Sequence, residues 1–389
     1  MRFHVLTVPH CATSLAYVGC AFTQKALKFC TMMKARGHTI IHYGNQDSDV
    51  ECDEHVTVTT RADFEREYSG YDWFTQGFNE NICQRLTAVY DTNCPPLLEK
   101  RIEHKDFILA FWGCGNMGTI NRIANDARHK AMVVEPGIGN HHAFSNFRVF
   151  ESYANMAYVA GMNNKHNPNN YHVVIPNYFD PRMFESADVR GDYFLFLGRL
   201  SSCKGLHIAI DICKQLGIPL KVAGQGSWAD VGYPHGPPEG VEYLGYADVQ
   251  TRKKLMSKAK GFFLLSDYNE PFGGSAVEAM MSGCPVITTD WGAFPEIVMH
   301  GYTGYRVRTM AQALWAAKHV NQIDPRVCRK WAVDNYGMDR VAGMYEEYFS
   351  SLMDLWDDGW YQSHPERGPL DWLKQTWPTI EWQSDGPAS

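Results

Sequence analysis

Between Phe262 and Ile287 the chain reads FFLLSDYNEPFGGSAVEAMMSGCPVI: an apolar run, a glycine-rich turn, a helix-period segment and a second apolar run. Two buried strands joined through a helix make a parallel crossover, so this stretch restricts the chain to an α/β sheet with helices on its faces. Glu270 and Glu278 flank the turn, with Pro271, Gly273, Gly274 and Ser275 between them. A helix N-terminus offers unsatisfied N–H donors and the positive end of the helix dipole, which suits phosphate or another anion. Glu270 is expected at the strand end, facing whatever the turn holds. Glu278 is expected about one turn into the helix, placed to accept hydrogen bonds from hydroxyl groups.

The same alternation recurs on both sides. Arg2 to Val8 is β-prone, Ala21 to Arg36 has helical spacing before Gly37, and His38 to Tyr43 is a second strand. Further strands are predicted at His55 to Thr59, Phe107 to Trp112, Met132 to Glu135 and His172 to Ile175. Helices are predicted over Glu80 to Tyr90, Leu97 to His104 and Thr119 to Arg128. Residues 163–170 are a polar loop, and a hinge is predicted between Pro176 and Gly191. After it come strands at Tyr193 to Leu197, Leu220 to Ala223, Val241 to Leu244 and Gly304 to Val307, helices at Gly205 to Leu216 and Val249 to Ala259, and helices from Met310 to Trp356.

A chain of 389 residues exceeds what one hydrophobic core usually supports. Three regions are expected: an N-terminal α/β domain over 1–178, a second over 179–335, and a helix with a Trp-rich tail over 336–389 that packs back on the first domain. The binding site then falls in the cleft between two sheets, outside the carboxyl ends of their strands. A net charge of −7 and a pI near 6.1 exclude a general nucleic-acid binder. Eleven dispersed cysteines with no C-x-x-C pair are read as core thiols in a reducing compartment, and no metal site is expected. MRFHVLTVPH lacks a signal-peptide core and no apolar run approaches the roughly 20 residues of a membrane span, so a cytoplasmic protein is expected. Arg252, Lys253, Lys254, Lys258 and Lys260 form a basic run, read as a solvated helix face with peripheral membrane contact as the alternative.

Two signatures compete for the function. Gly113, Gly115 and Gly118 form G-x-G-x-x-G between the strand DFILAFW and the helical TINRIANDARH, with Glu135 about 20 residues on, the pattern of an NAD(P)-dependent oxidoreductase. Against it, this fingerprint normally opens its domain, whereas here about a hundred residues precede it. The second signature is a series of strand ends. Gly198 and Arg199 end one strand and Lys204 starts the next helix, two cations suited to a diphosphate. Gly224-Gln225-Gly226 ends another strand, and Leu244-Gly245-Tyr246 offers apolar surface and backbone groups to a planar base.

GRL followed by KG, then GQG, LGY, EPFGGSAVEA and GCPVI resemble the successive motifs of family 4 retaining glycosyltransferases, specifically from about Tyr193 to Arg308. EPGIGNHHAFSNFRVFESYA is similar to a segment of a bacterial and viral subset. The resemblance implies the GT-B fold, two Rossmann-like domains facing each other across a cleft. It implies transfer of a hexosyl or related sugar, with retention, from a nucleotide-diphosphate sugar (UDP- or GDP-linked) to a glycan, lipid or protein hydroxyl, without a permanent cofactor. Arg199 and Lys204 would bind the diphosphate, Glu278 the ribose, and Glu270 the donor sugar. Gly198, Gly224, Leu244, Tyr246, Gly273, Gly274 and Ser275 would line the donor. A non-catalytic sugar-nucleotide-binding protein is the remaining alternative. The chain departs from many members of the family in having only Gly19 in its first loop and Pro136 where a histidine is common. The N-terminal group at the reaction centre therefore stays open among His10, Glu135, His141 and His142.

Overall fold

In a computed structural model, which describes residues 1–139, 142–163, 171–187 and 190–358, the alternation folds into two all-parallel sheets. The first contains β1 (Arg2–Leu6), β2 (Thr39–Asn45), β3 (Glu54–Thr59), β4 (Asp106–Ala110), β5 (Ala131–Ile138), β6 (Phe147–Phe150) and β7 (His172–Val174), in the order β3-β2-β1-β4-β5-β6-β7. The second contains β8 (Phe194–Leu197), β9 (Leu220–Ala223), β10 (Val241–Tyr243), β11 (Gly261–Leu264), β12 (Val286–Thr289) and β13 (Gly304–Val307), in the order β10-β9-β8-β11-β12-β13. Each order reverses once, between β1 and β4 and between β8 and β11. Those are the points where a parallel sheet opens a crevice at its strand ends.

The central strands read as apolar runs because helices cover both their faces. β8, β11 and β12 are buried along their whole length, and Phe194 stacks on Phe263 with ring centroids 4.6 Å apart. Each buried Phe side chain contributes roughly 1.5–3 kcal/mol by leaving water. Residues Met1–Met344, which hold both sheets, form one compact unit, and Tyr345 begins a second. The long helix Met338–Asp358 is the last described element, so the proposed packing of the Trp-rich tail lies outside the described residues. No described helix is long and apolar enough to cross a membrane.

The structure departs from the predicted elements in several places, among them the unpredicted helices Arg61–Glu67 and Tyr153–Met162. One helix, Glu80–Glu99, runs where two were predicted, although Pro95 and Pro96 lie inside it. Proline removes an N–H from the helical ladder. The carbonyl of Asp91 that Pro95 cannot serve accepts instead from Arg122 Nη1 at 2.6 Å. The predicted helix from Thr119 is two short ones, Met117–Arg122 and Asn125–Arg128, because Ile123 between them is extended. β5 continues past Glu135 through Pro136 to Ile138, with an irregular register against β6 where proline interrupts the ladder. β6 itself was not predicted, since FRVF is short and follows a polar turn.

Candidate functional site

The turn at Gly205 builds the site. Gly205 has φ +69°, and a Cβ there would lie 2.0 Å from the Leu265 carbonyl oxygen, so only glycine lets the β8 turn approach the end of β11 this closely. That approach brings Lys204, from the end of β8, onto Glu270, from the end of β11. Lys204 Nζ stands 2.5 Å from Glu270 Oε1 and donates to Tyr268 Oη at 2.6 Å. Ser266 Oγ donates to the same Glu270 oxygen at 2.8 Å. Glu270 is only 5% exposed. Burial and the Glu270 carboxylate push the Tyr268 phenol up, so it remains protonated. Arg199 is exposed at the rim and acts on Tyr268 through its charge, with no hydrogen bond or ion pair to a described residue. The two predicted cations thus differ: one is locked against a carboxylate and the other is free to meet an anion.

Gly273 caps the helix Gly274–Met281 with φ +86° and, being glycine, offers no side-chain cap to its first N–H groups. Gly274 and Ser275 are half-buried at that end. Glu278 lies on the same helix, with Oε2 3.5 Å from Arg252 Nη1. It lines a cavity with Gln24 and Lys28 of the helix Ala21–Ala35 and with Phe179. Burial pulls Lys28 down to about 8, against the attraction of Glu278, and its ammonium sits 4.1 Å from the Phe179 ring centroid. Arg252 and Lys253 each hold a carboxylate, the latter that of Glu185 at 3.1 Å, which leaves Lys254 and Lys258 as the exposed cations of the basic run.

At the other strand ends the glycines pack on one another. A Cβ at Gly224 would lie 1.8 Å from the Gly198 carbonyl oxygen, and Gly224 N donates to Gly245 O at 2.8 Å. Leu244 is half-buried beside the second core. Tyr246 points toward the first sheet's loops: its hydroxyl donates to Ala16 O at 2.8 Å and its ring lies 5.5 Å from Phe74. Gln225 donates to the Trp73 carbonyl at 2.5 Å. Elsewhere Ser152 Oγ donates to Pro271 O at 2.6 Å, and Glu296 accepts from Tyr153 N and Ala154 N at 2.9 and 2.8 Å. The two sheets meet across these contacts.

The N-terminal candidates fare differently. His141 lies outside the described residues, and His142 is exposed on the loop after β5. His10 is 3% exposed, with its two ring nitrogens facing Cys20 and Cys83 rather than the cleft. Glu135 is fully buried, and its Oε2 accepts from Phe144 N at 2.8 Å and Ser145 N at 2.7 Å. It holds its own loop and is not placed for a ribose. Two of the G-x-G-x-x-G glycines are likewise accounted for by side chains: a Cβ at Gly115 would lie 1.6 Å from Trp112 and one at Gly118 2.0 Å from Asp91, while Gly113 takes a positive φ of 58° in its turn. The open faces of Gly115 and Gly118 are filled from within the protein, where a dinucleotide would need them for its pyrophosphate.

The first sheet also holds a buried ion pair that the sequence reading missed. Glu151, just after β6, and Lys25 are both buried, with Lys25 Nζ 2.7 Å from Glu151 Oε1 and 2.8 Å from Gly137 O. Burial pushes the Glu151 carboxyl up, Lys25 and Lys28 pull it down, and Glu270 pushes it up again.

Burial also pushes the Glu135 carboxyl up to about 7, although the Ser145 and Phe144 N–H groups and Arg148 favour its charge. A folded value above the unfolded one gives a contribution that is complete below the unfolded value and lost as pH rises to the folded one. Stability is expected to fall between pH 4.5 and about 7 by up to about 3 kcal/mol from this group. Glu135→Gln keeps an acceptor for the loop and removes the charge. Urea unfolding across this range should show a flatter profile for the variant, and an unchanged slope would refute the assignment.

The family described as Glycosyl transferases group 1 matches residues 182–323. The uncharacterized glycosyltransferase MJ1607 of Methanocaldococcus jannaschii is 32% identical over 165 residues, which cover 40% of this chain and 40% of that protein. The match thus spans less than half the length of this relative. Among solved structures, AviGT4, a glycosyltransferase involved in avilamycin A biosynthesis, superposes with a TM-score of 0.64 at 19% identity over 91% of this chain and 98% of its own. Anabaena HepE, in complex with UDP and glucose, gives 0.65 at 16% identity over 90% of this chain and 100% of its own.

Proposed function

We propose that this member of the group 1 glycosyltransferases, a GT-B protein by fold, moves a sugar from a nucleotide-diphosphate donor to an acceptor hydroxyl of a glycan, lipid or protein, with retention at the anomeric carbon. The observation that carries the reading is the Lys204–Glu270 pair at the switch point of the second sheet, beside a helix N-terminus capped by a glycine rather than a side chain. Support for a UDP-linked donor comes from HepE, which binds UDP and glucose on the same fold. GDP-linked sugars are the competing donors.

The bond from the anomeric carbon to the β-phosphate oxygen breaks and the acceptor oxygen takes its place, while the acceptor's proton passes to the departing diphosphate. Negative charge grows on that diphosphate. Arg199, Lys204 and the N–H groups at Gly274 and Ser275 supply fixed positive ends there without reorganisation. Glu270 keeps Lys204 in place and accepts from the hydroxyls of the donor sugar with its other oxygen, while the third N–H of the ammonium is left for the phosphate. Glu278 accepts from the ribose, and Lys28 beside it neutralises the carboxylate. Glu151 approaches the same centre from the first sheet.

A panel of UDP- and GDP-sugars read by thermal unfolding tests the reading. A ligand at about 100 times its Kd stabilises the folded chain by about 2.7 kcal/mol. Glu278→Ala is expected to remove most of the shift while leaving the unliganded midpoint within a few degrees, because Glu278 is paired only at 3.5 Å with Arg252. No response to any nucleotide sugar sinks the proposal, and a response to NAD or NADP alone revives the oxidoreductase reading.

A further inference from the structure

The loop from β1 to the helix Ala21–Ala35 gathers groups for which sugar transfer has no use. His10, Cys11 and Cys20 each offer one ligand atom, and the three atoms lie within 4.8 Å of one another. His10 Nε2 stands 3.7 Å from Cys20 Sγ. Two ligands on one tetrahedral zinc, with Zn–N near 2.1 Å and Zn–S near 2.3 Å, stand about 3.6 Å apart. The His10–Cys20 spacing is that of two ligands around a single ion, and Cys11 lies close enough to both to join them.

The surroundings orient these atoms. Cys83 Sγ lies 3.4 Å from His10 Nδ1 and takes that side of the ring, which turns Nε2 toward Cys20. Thr23 Oγ1 lies 2.9 Å from Cys11 Sγ. Partners of this kind fix the tautomer of a ligating histidine and hold a ligating sulfur in place. The rings of Trp112 and Phe78 pack on His10 with centroids 4.9 and 5.0 Å away, closing the site from water on those sides. Core thiols need only to fill space, and space-filling does not converge an imidazole nitrogen and two sulfurs on one point.

We propose that His10, Cys11 and Cys20 bind a thiophilic divalent cation of the zinc class, with three protein ligands and a fourth position open to water. The ion ties residues 10 and 11 to residue 20 and so fixes the loop between them. That loop carries Ala16, whose carbonyl accepts from Tyr246, and Gly19, which lies against Tyr246 and Gln225. The metal therefore holds the loop that touches the second sheet. Cys11 and Cys20 form no C-x-x-C pair, which is why their spacing hides the site.

The test uses the full chain, reduced, stripped with a chelator and titrated with Co2+ without oxygen. One equivalent should bind, with sulfur-to-cobalt charge-transfer absorption and the visible bands of tetrahedral cobalt, and Zn2+ should displace it. Cys20→Ser should weaken binding more than tenfold and lower the charge-transfer intensity, while Cys52→Ser should match the parent. A reduced wild-type chain without sulfur-to-cobalt absorption overturns the proposal whatever the variants do. So does a Cys20→Ser chain that binds cobalt as the parent does.

Discussion

Lys204→Ala is expected to lower turnover for sugar transfer about 100- to 1,000-fold, the usual loss when one preorganised donor to developing charge is removed. The ammonium sits 2.5 Å from Glu270 and 2.6 Å from the Tyr268 hydroxyl, so it is held in place before any donor arrives. Its alanine variant loses that charge at the departing diphosphate and leaves Glu270, 5% exposed, with Ser266 as its hydrogen-bond donor. The expected signature is a fall in kcat larger than the rise in the KM of the donor, since Arg199, the other cation proposed for the phosphates, is untouched. Lys204→Arg should not rescue the rate: a planar fork does not fit where a point charge lies between a phenol and a carboxylate. Steady-state kinetics with the best nucleotide sugar decide the matter, and an alanine variant within tenfold of wild type would remove Lys204 from the reaction centre.

Why the meeting of Lys204 with Glu270 was legible and the Lys25–Glu151 pair was not follows from where each residue gets its partner. GRL, KG and EPFGG lie at the ends of strands whose apolar runs are continuous, so strand order alone brings them together at one switch point. Glu151 depends on β6, a strand of four residues hidden behind a polar turn, and on Lys25 of a helix far away in the chain. With β6 unseen, no argument placed Glu151 at a strand end. The four N-terminal candidates were drawn from residue type, and residue type does not reveal burial. Glu135 faces inward because β5 continues through Pro136 and the loop folds back to donate two N–H groups to it. The glycine fingerprint misled for a related reason. Its Gly115 and Gly118 make room for Trp112 and Asp91, side chains whose positions depend on tertiary packing.

Removal of Lys25 is expected to cost about 3–5 kcal/mol of stability, the range for breaking a buried ion pair and leaving one charge behind. Both side chains are 4% exposed, and Lys25 Nζ also serves the carbonyl of Gly137 at 2.8 Å. In Lys25→Ala the Glu151 carboxylate keeps only the more distant Lys28, while Glu270 continues to repel it. Its folded pKa, already raised by burial, then rises further above the unfolded value. The sign follows: the variant regains stability as pH falls and Glu151 takes up a proton, and its deficit is largest above the raised folded value. Lys25→Met with Glu151→Leu removes both charges and should recover most of the loss, because an apolar pair of similar volume needs no desolvation of ions. Urea unfolding of the single and double variants at pH 5 and pH 8 measures the coupling, and a single-variant cost below about 1 kcal/mol, the range of an exposed pair, would show that water reaches it. The double variant separates architecture from chemistry. If Glu151 acts at the reaction centre beside Glu270, the refolded double variant stays stable and still fails to transfer sugar; if the pair only braces the β6 end against the helix Ala21–Ala35, transfer returns with stability.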